Sequence, residues 1–196
     1  MAIQTMMPAI VKDTCQGLAR YSILDEMFMD RKVECTGQIT AESAEALILQ
    51  LRYLQKENPE KEITMYVNSP GGEVTSGLAV YDVIQALSCP IHTVCVGIAA
   101  SMAALLFISG KQRDMLPHAR VMIHDPMIQG GIGGSALSMD SLSRDLMKIR
   151  EITGKIIAEH TGKTLEEVFA KTASDSYFDP EEAIGFGLAD RIIHKI

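Results

Sequence analysis

Apolar and polar residues follow two different spacings along this chain, and together they predict strands that alternate with helices. Short runs rich in apolar and β-branched residues predict strands at 32–38, 63–67, 91–96, 121–124 and 191–194. Each run is about as long as one buried strand and is bounded by turn-forming or polar residues. The strands therefore predict a sheet assembled from segments that lie far apart in sequence.

Between the strands, apolar residues recur at the three- and four-residue spacing of amphipathic helices. A first helix begins after Thr40 and stops at Asn58, and it is followed by a second helix from Val74 that closes near Cys89. The first helix buries one apolar face, consisting of Ala44, Leu47, Ile48, Leu51 and Leu54. The second presents Val74, Leu78, Tyr81 and Ile84 on one face.

The C-terminal half continues the helical pattern. A long helix over 136–160 carries a stripe formed by Met139, Leu142, Leu146, Ile149 and Ile156. Thr164 and Glu167 form a capping box that opens one more helix. Repeated strand–helix units predict a single α/β domain whose strands pair mostly in parallel.

Composition narrows the classes of function. A chain of 196 residues suits one domain, and a net charge of −7 without a basic run argues against a nucleic-acid or anionic-membrane binder. No apolar stretch is long enough to span a bilayer, and the N-terminus lacks the pattern of a signal peptide. The four cysteines show no CxxC spacing, which favours reduced thiols and a cytoplasmic location. The five histidines form no HxxxH pair, so we expect no metal site.

Candidate chemistry lies at two turns from a strand into a helix. Gly71 and Gly72 allow positive φ and a close backbone approach, and Ser101 follows the strand at 91–96 within GIAASMAAL. A serine in such a run is either a small buried residue bonded to the backbone or a nucleophile exposed at a tight turn, with the N–H of Met102 beside it. Ligand sites in open α/β sheets gather at the carboxyl ends of strands, which favours the second interpretation.

A nucleophilic serine needs a base, and His124 closes the strand that follows Ser101. A third group must orient the imidazole. Asp125 is adjacent, but successive strand side chains point to opposite faces. Asp175 and Asp179 are the other candidates, and composition does not choose between them.

Three motifs, taken together, resemble the proteolytic subunits of the Clp protease family. They are NPEKEITMYVNSPGGEVTSGLAVYD, GIAASMAALL and RVMIHDP, and the resemblance runs from about residue 8 to the end in one register. It implies a crotonase-like Clp protease fold of repeated ββα units with a protruding handle helix. It also implies an axial N-terminal segment over 1–20, one protease domain over 21–196, and a handle at about 125–160 whose flexible loop is 129–135.

The resemblance also implies roles for individual residues. Ser101 is expected to be the nucleophile, His124 the general base and Asp175 the acidic member of the triad. Gly72 and Met102 are expected to provide the backbone N–H groups of the oxyanion hole. Tyr66 matches a residue in a pocket where partners dock.

The same resemblance implies partners. Subunits of the family form seven-membered rings that stack in pairs, with the apolar stripe of the handle at the contact. An AAA+ unfoldase feeds unfolded proteins into the chamber and consumes the ATP. The chain itself is expected to need no cofactor and no metal, and to bind neither nucleic acid nor membrane.

Four residues depart from the family pattern. Glu73 follows the glycine pair where an apolar residue is usual, Ile98 replaces a polar residue, and Asp125 replaces Gln. Ser174 stands where the family carries an Arg that bridges the rings. The handle loop also looks longer than in the family. Together these departures suggest a divergent paralogue.

Two alternatives to an active endopeptidase follow. The chain could be a regulatory subunit that requires a second proteolytic-subunit paralogue in a mixed assembly. It could also be a crotonase-like acyl-CoA enzyme, although such enzymes do not need the serine.

Overall fold

A computed structural model of the chain describes residues 8–128 and 133–196. Its strands are β1 (Ala9–Thr14), β2 (Gly17–Ser22), β3 (Lys32–Ile39), β4 (Ile63–Gly72), β5 (Ile91–Ala100), β6 (Gln112–Met115), β7 (Arg120–Ile123), β8 (Ser176–Phe178) and β9 (Arg191–Ile192). Its helices are α1 (Ile23–Met29), α2 (Ala41–Glu57), α3 (Val74–Ala86), α4 (Met102–Ile108), α5 (Ala136–Thr161), α6 (Leu165–Thr172) and α7 (Pro180–Phe186).

Seven strands form one mostly parallel sheet, which confirms the predicted α/β class. The sheet has the order β3-β4-β5-β6-β9. Strand β5 is shared, because its first half pairs with β6 and its last three residues pair with β7. Strand β8 pairs antiparallel with β7. The carboxyl ends of β4, β5 and β7 therefore lie side by side.

Helix starts agree with the sequence signals. Thr40 caps α2 with a capping box to Ser43, and Thr164 caps α6 with the predicted box to Glu167. The long helix α5 begins after the N-cap Ser135 and ends at Thr161, one residue beyond the predicted end.

Two strands continue past their predicted ends. Strand β4 runs to Gly72 rather than to residue 67, and β5 runs to Ala100 rather than to residue 96. The extensions are tertiary, because Gly72 pairs with Ile39 of β3 and Ala100 pairs with Met122 of β7. Pairing with neighbours outweighs the turn-like composition of these residues.

The N-terminal part of the chain forms an antiparallel hairpin of β1 and β2, separate from the main sheet. The predicted axial segment over 1–20 covers most of this hairpin, which continues to Ser22, and residues 1–7 of the segment lie outside the described residues. The predicted handle loop over 129–135 likewise falls largely on residues 129–132, which are outside the described part of the chain.

The core lies between the sheet and helices α2, α3 and α4. Every residue of α4 is buried, and Leu51, Ile63, Met65 and Phe107 are fully enclosed. Helix α5 differs along its length, because the side chains of its first ten residues are exposed whereas Ile156 and Ile157 are buried. Among the described residues, no helix has the length and apolarity needed to cross a membrane.

Candidate active site

Ser101 lies at the junction between β5 and α4, in a backbone conformation that is unusual for a serine. Its φ is 55° and its ψ is −123°, and its N–H donates to the carbonyl of Met122 at 2.8 Å. A residue with a side chain is strained at positive φ and holds that conformation only where its surroundings impose it. Here the buried helix α4 and the pairing with β7 impose it, and small neighbours such as Ala99 and Ala100 leave room for the sharp turn.

His124 lies beside Ser101 because β5 and β7 are parallel neighbours. Ala100 of β5 pairs with Met122 of β7, so both strands end at the same edge of the sheet. Ser101 and His124, which follow them, therefore lie at that edge. The Nε2 atom of His124 is 2.7 Å from Oγ of Ser101, a hydrogen-bond distance. The imidazole is 12% exposed, so it is largely shielded yet reaches the surface at this edge.

Asp175 approaches the other side of the His124 ring. Ile123 pairs with Ser176 in the antiparallel β7–β8 ladder, so the next residues outward, His124 and Asp175, face each other. The distance from Nδ1 of His124 to Oδ1 of Asp175 is 3.4 Å. Nδ1 is buried without a hydrogen-bond partner in the described part of the chain, whereas the Asp175 side chain is 55% exposed.

The other two acidic candidates are engaged elsewhere. The carboxylate of Asp179 caps α7, where it accepts the N–H of Glu182 at 2.9 Å. Asp125 accepts hydrogen bonds from Arg150 and Thr172. The structure therefore places Asp175 next to His124, whereas Asp179, the other candidate that the sequence left open, lies at the cap of α7.

The glycine turn packs directly against the Ser101 turn. Gly71 has a φ of 90°, and a Cβ built on it would lie 2.6 Å from the carbonyl oxygen of Ala100 and 3.0 Å from the backbone N of Met102. A Cβ on Gly72 would lie 2.1 Å from the carbonyl oxygen of Ile39. A side chain larger than hydrogen therefore cannot be accommodated at either position without movement of the backbone.

An open groove passes over this cluster. It is lined by residues 38–40, 70–74 and 126–128 together with Ser101, Met122, His124 and Asp175. Among the described residues, the lining combines apolar side chains with two carboxylates, those of Glu73 and Asp175, and includes no Lys or Arg. An extended peptide suits this groove, because the peptide also combines polar backbone amides with apolar side chains.

Of the residues that depart from the family pattern, Glu73 is the one that lines the groove. Its carboxylate accepts the hydroxyl of Ser76 at 2.7 Å, within the first turn of α3. Ser174 is exposed in the bend before Asp175, and the half-buried Ile98 pairs with Arg120.

Tyr66 lies apart from this groove, in the middle of β4. The residue is 8% exposed, and it pairs with Glu34 on one side and Val94 on the other. Its assignment as a docking residue stays a prediction.

The site contains a group that sequence reasoning missed. Arg150 of α5 and Thr172 of α6 both bond the carboxylate of Asp125, although they are 25 and 47 residues away in sequence. Asp125 departs from the family pattern, but no local sequence pattern identifies its partners. Only the packing of α5 and α6 brings them to the residue after His124.

In comparison with known families, the chain matches the family model described as Clp protease over residues 15–196. The matched range includes both strand-to-helix turns, the strand that precedes His124 and the segment that carries Asp175.

Proposed function

Because the chain belongs to the Clp protease family, we propose that it is a serine endopeptidase in which Ser101, His124 and Asp175 act together. Membership of the family supports peptidase activity. The observation that supports the proposal most strongly is the 2.7 Å contact between Oγ of Ser101 and Nε2 of His124. It joins a nucleophile and a base at the floor of a groove that suits an extended peptide.

The reaction is acyl transfer in two steps. Oγ of Ser101 attacks the peptide carbonyl while Nε2 of His124 takes the hydroxyl proton, and the imidazolium then gives that proton to the leaving amine. Water, activated by the same imidazole, releases the acyl group from Ser101. Asp175 orients the ring through Nδ1 and stabilises its charged form.

The oxyanion is stabilised by the backbone N–H groups of Gly72 and Met102. Support comes from the contact between the two turns, because Gly71 packs against Met102 N and leaves no space for a side chain between them. Removing one such donor typically lowers the rate by a factor of roughly 10²–10³. Glu73 is held by Ser76, so we expect it to affect the groove more than the oxyanion.

Membership of the family implies assembly into oligomeric rings. We propose stacked heptameric rings, joined through the exposed first half of α5, that receive unfolded proteins from an ATP-consuming AAA+ unfoldase. In this proposal the chain works in the cytoplasm, needs no cofactor of its own, and contacts the unfoldase near Tyr66 and the N-terminal segment.

Substitution Ser101→Ala tests the proposal. The variant should lose both hydrolysis of model peptides and covalent labelling by a fluorophosphonate, with an unchanged circular dichroism spectrum. Ser88→Ala is the control, because Ser88 is exposed and bonds Pro59 far from the groove. Labelling of Ser101→Ala at the wild-type rate would exclude Ser101 as the nucleophile.

A second candidate function is a subunit that becomes active only beside a second proteolytic-subunit paralogue. It is favoured by the 3.4 Å gap between His124 Nδ1 and Asp175 Oδ1, which is too long for a good hydrogen bond. Peptide hydrolysis by the purified chain alone excludes this candidate, and activity that appears only after mixing supports it. Saturable acyl-CoA binding with no hydrolysis would instead favour the crotonase-like alternative.

A further inference from the structure

Asp125 uses both carboxylate oxygens and its backbone N–H to join three segments. Its Oδ2 accepts from Nε of Arg150 at 2.6 Å, and its Oδ1 accepts from the Thr172 hydroxyl at 2.6 Å. Its backbone N–H donates to the carbonyl of Thr172 at 2.7 Å. The residue after His124 is thereby attached to α5 and, twice, to the end of α6.

The partners of Asp125 are themselves fixed. The guanidinium of Arg150 lies 3.7 Å from the ring centroid of Phe169 on α6, a cation–π contact. Helices α5 and α6 meet closely at Gly154, where an added Cβ would lie 2.5 Å from the Phe169 ring. Thr172 is 4% exposed. Asp125 is therefore attached to a packed pair of helices rather than to mobile surface groups.

The position of these bonds relates them to the base. Asp125 directly follows His124, and Thr172 precedes Asp175 by three residues. The β7–β8 ladder ends at the pair of Ile123 with Ser176, so His124 and Asp175 lie just beyond its last paired residues. The bonds of Asp125 with Thr172 join the same two segments again, on the other side of the His124–Asp175 pair.

We propose that Asp125, held by Arg150 and Thr172, is a positioning residue that sets the separation of His124 and Asp175. This inference rests on the proposed function and assigns a role to a position where the sequence departs from its family. The His124–Asp175 pair is bounded by the β7–β8 ladder on one side and by the Asp125 bonds on the other. Without the second attachment, residues 124 and 175 are free to separate.

The test compares two substitutions that remove the same charge. Asp125→Ala removes both side-chain bonds, whereas Asp125→Asn keeps a neutral version of both, since its amide oxygen can face Arg150 and its NH₂ can face Thr172. For Asp125→Ala, kcat for peptide hydrolysis and the fluorophosphonate labelling rate should fall about tenfold or more, within the ~10²-fold that a misplacement of about 1 Å can cost. KM should change little, and Asp125→Asn should recover most of the loss.

Lys155→Ala is the control, because it breaks the exposed ion pair with Glu151 on the same helix and should leave kcat unchanged. Equal losses of kcat in Asp125→Ala and Asp125→Asn would assign the effect to the charge of Asp125. No loss of kcat in either variant would show that Asp125 does not position the pair. Both results overturn the inference. If wild-type protein neither hydrolyses peptides nor labels, alone or with a paralogue, the proposed function fails. Crystal structures then decide the inference, because Asp125→Ala must lengthen the His124–Asp175 distance relative to wild type.

Discussion

Substitution of Gly71 by alanine should disturb stability and reactivity together, because this glycine fills the contact between the two turns of the site. Its φ of 90° is disfavoured for a residue with a Cβ, at a cost of about 1–2 kcal/mol. The added methyl group would also lie 2.6 Å from Ala100 O, 2.8 Å from Ser101 Cβ and 3.0 Å from Met102 N. Overpacking of this kind costs about 1–3 kcal/mol, so the expected loss in free energy of unfolding is about 2–5 kcal/mol.

Gly162 provides a matched control for the backbone part of this effect. It also has a positive φ, 69° at the end of α5, but an added Cβ would meet nothing within 4 Å. Gly162→Ala should therefore lower the free energy of unfolding only by the conformational cost of about 1–2 kcal/mol. The difference between the two variants isolates the contact between the turns.

Urea denaturation measures the two free energies, and the rate of fluorophosphonate labelling measures the reactivity of Ser101. The atoms that must move in Gly71→Ala carry the nucleophile and the proposed oxyanion donor, so labelling should fall even in protein that remains folded. Gly162→Ala should label at the wild-type rate. Equal free-energy losses in the two variants, with wild-type labelling in Gly71→Ala, would refute the close approach of the turns.

Two further predictions concern the scaffold. Arg31 is 5% exposed and donates to four backbone carbonyls between residues 54 and 62, so Arg31→Lys should lower the free energy of unfolding by about 2–4 kcal/mol in urea titration; an unchanged midpoint would contradict the role of the guanidinium fork. Burial lowers the pKa of His160, which bonds Tyr81, and the nearby Arg113 lowers it further. His160 therefore binds a proton less tightly in the folded protein than in the unfolded chain. The stability that the neutral His160 contributes is complete above the ordinary pKa of 6.5 and is lost as the pH falls through the lowered pKa. His160→Gln should therefore lose less free energy of unfolding between about pH 7.5 and pH 5 than wild type or the exposed variant His118→Gln, and equal losses would contradict this.

Local patterns predicted the elements that bury a regular apolar face. Helix α2 illustrates this, since its cap Thr40 and its buried face follow directly from residue type and spacing. Strand β6 has the polar sequence QRDM and was missed, because its stability comes from β5 and β9 rather than from its own composition. The hairpin of β1 and β2 escapes prediction for a different reason, because its strands are mostly exposed and have no buried apolar face.

The candidate site shows the same division. The approach of Ser101 and His124 follows from the ends of two predicted strands, which are β5 and β7 of the structure. These strands pair in parallel although β6 lies between them in sequence, and the two side chains come together. The choice among the acidic residues did not follow from local sequence, because Asp175 approaches His124 through the antiparallel pairing of β8 with β7. An antiparallel strand of three residues leaves almost no signal in composition, and the family resemblance was needed to select Asp175.

The same architecture divides the site into a fixed part and an adjustable part. Ser101, His124 and the glycine turn lie at the ends of buried parallel strands, and moving any of them requires movement of the core. Asp175 is half exposed, lies beside a three-residue strand and approaches His124 Nδ1 without a hydrogen bond. A displacement of well under 1 Å would close that gap to hydrogen-bond distance. A contact that changes the rate of hydrolysis without rearranging the core should therefore act on the segment around Asp175. Asp125 connects α5 and α6 to this segment through its bonds to Arg150 and Thr172.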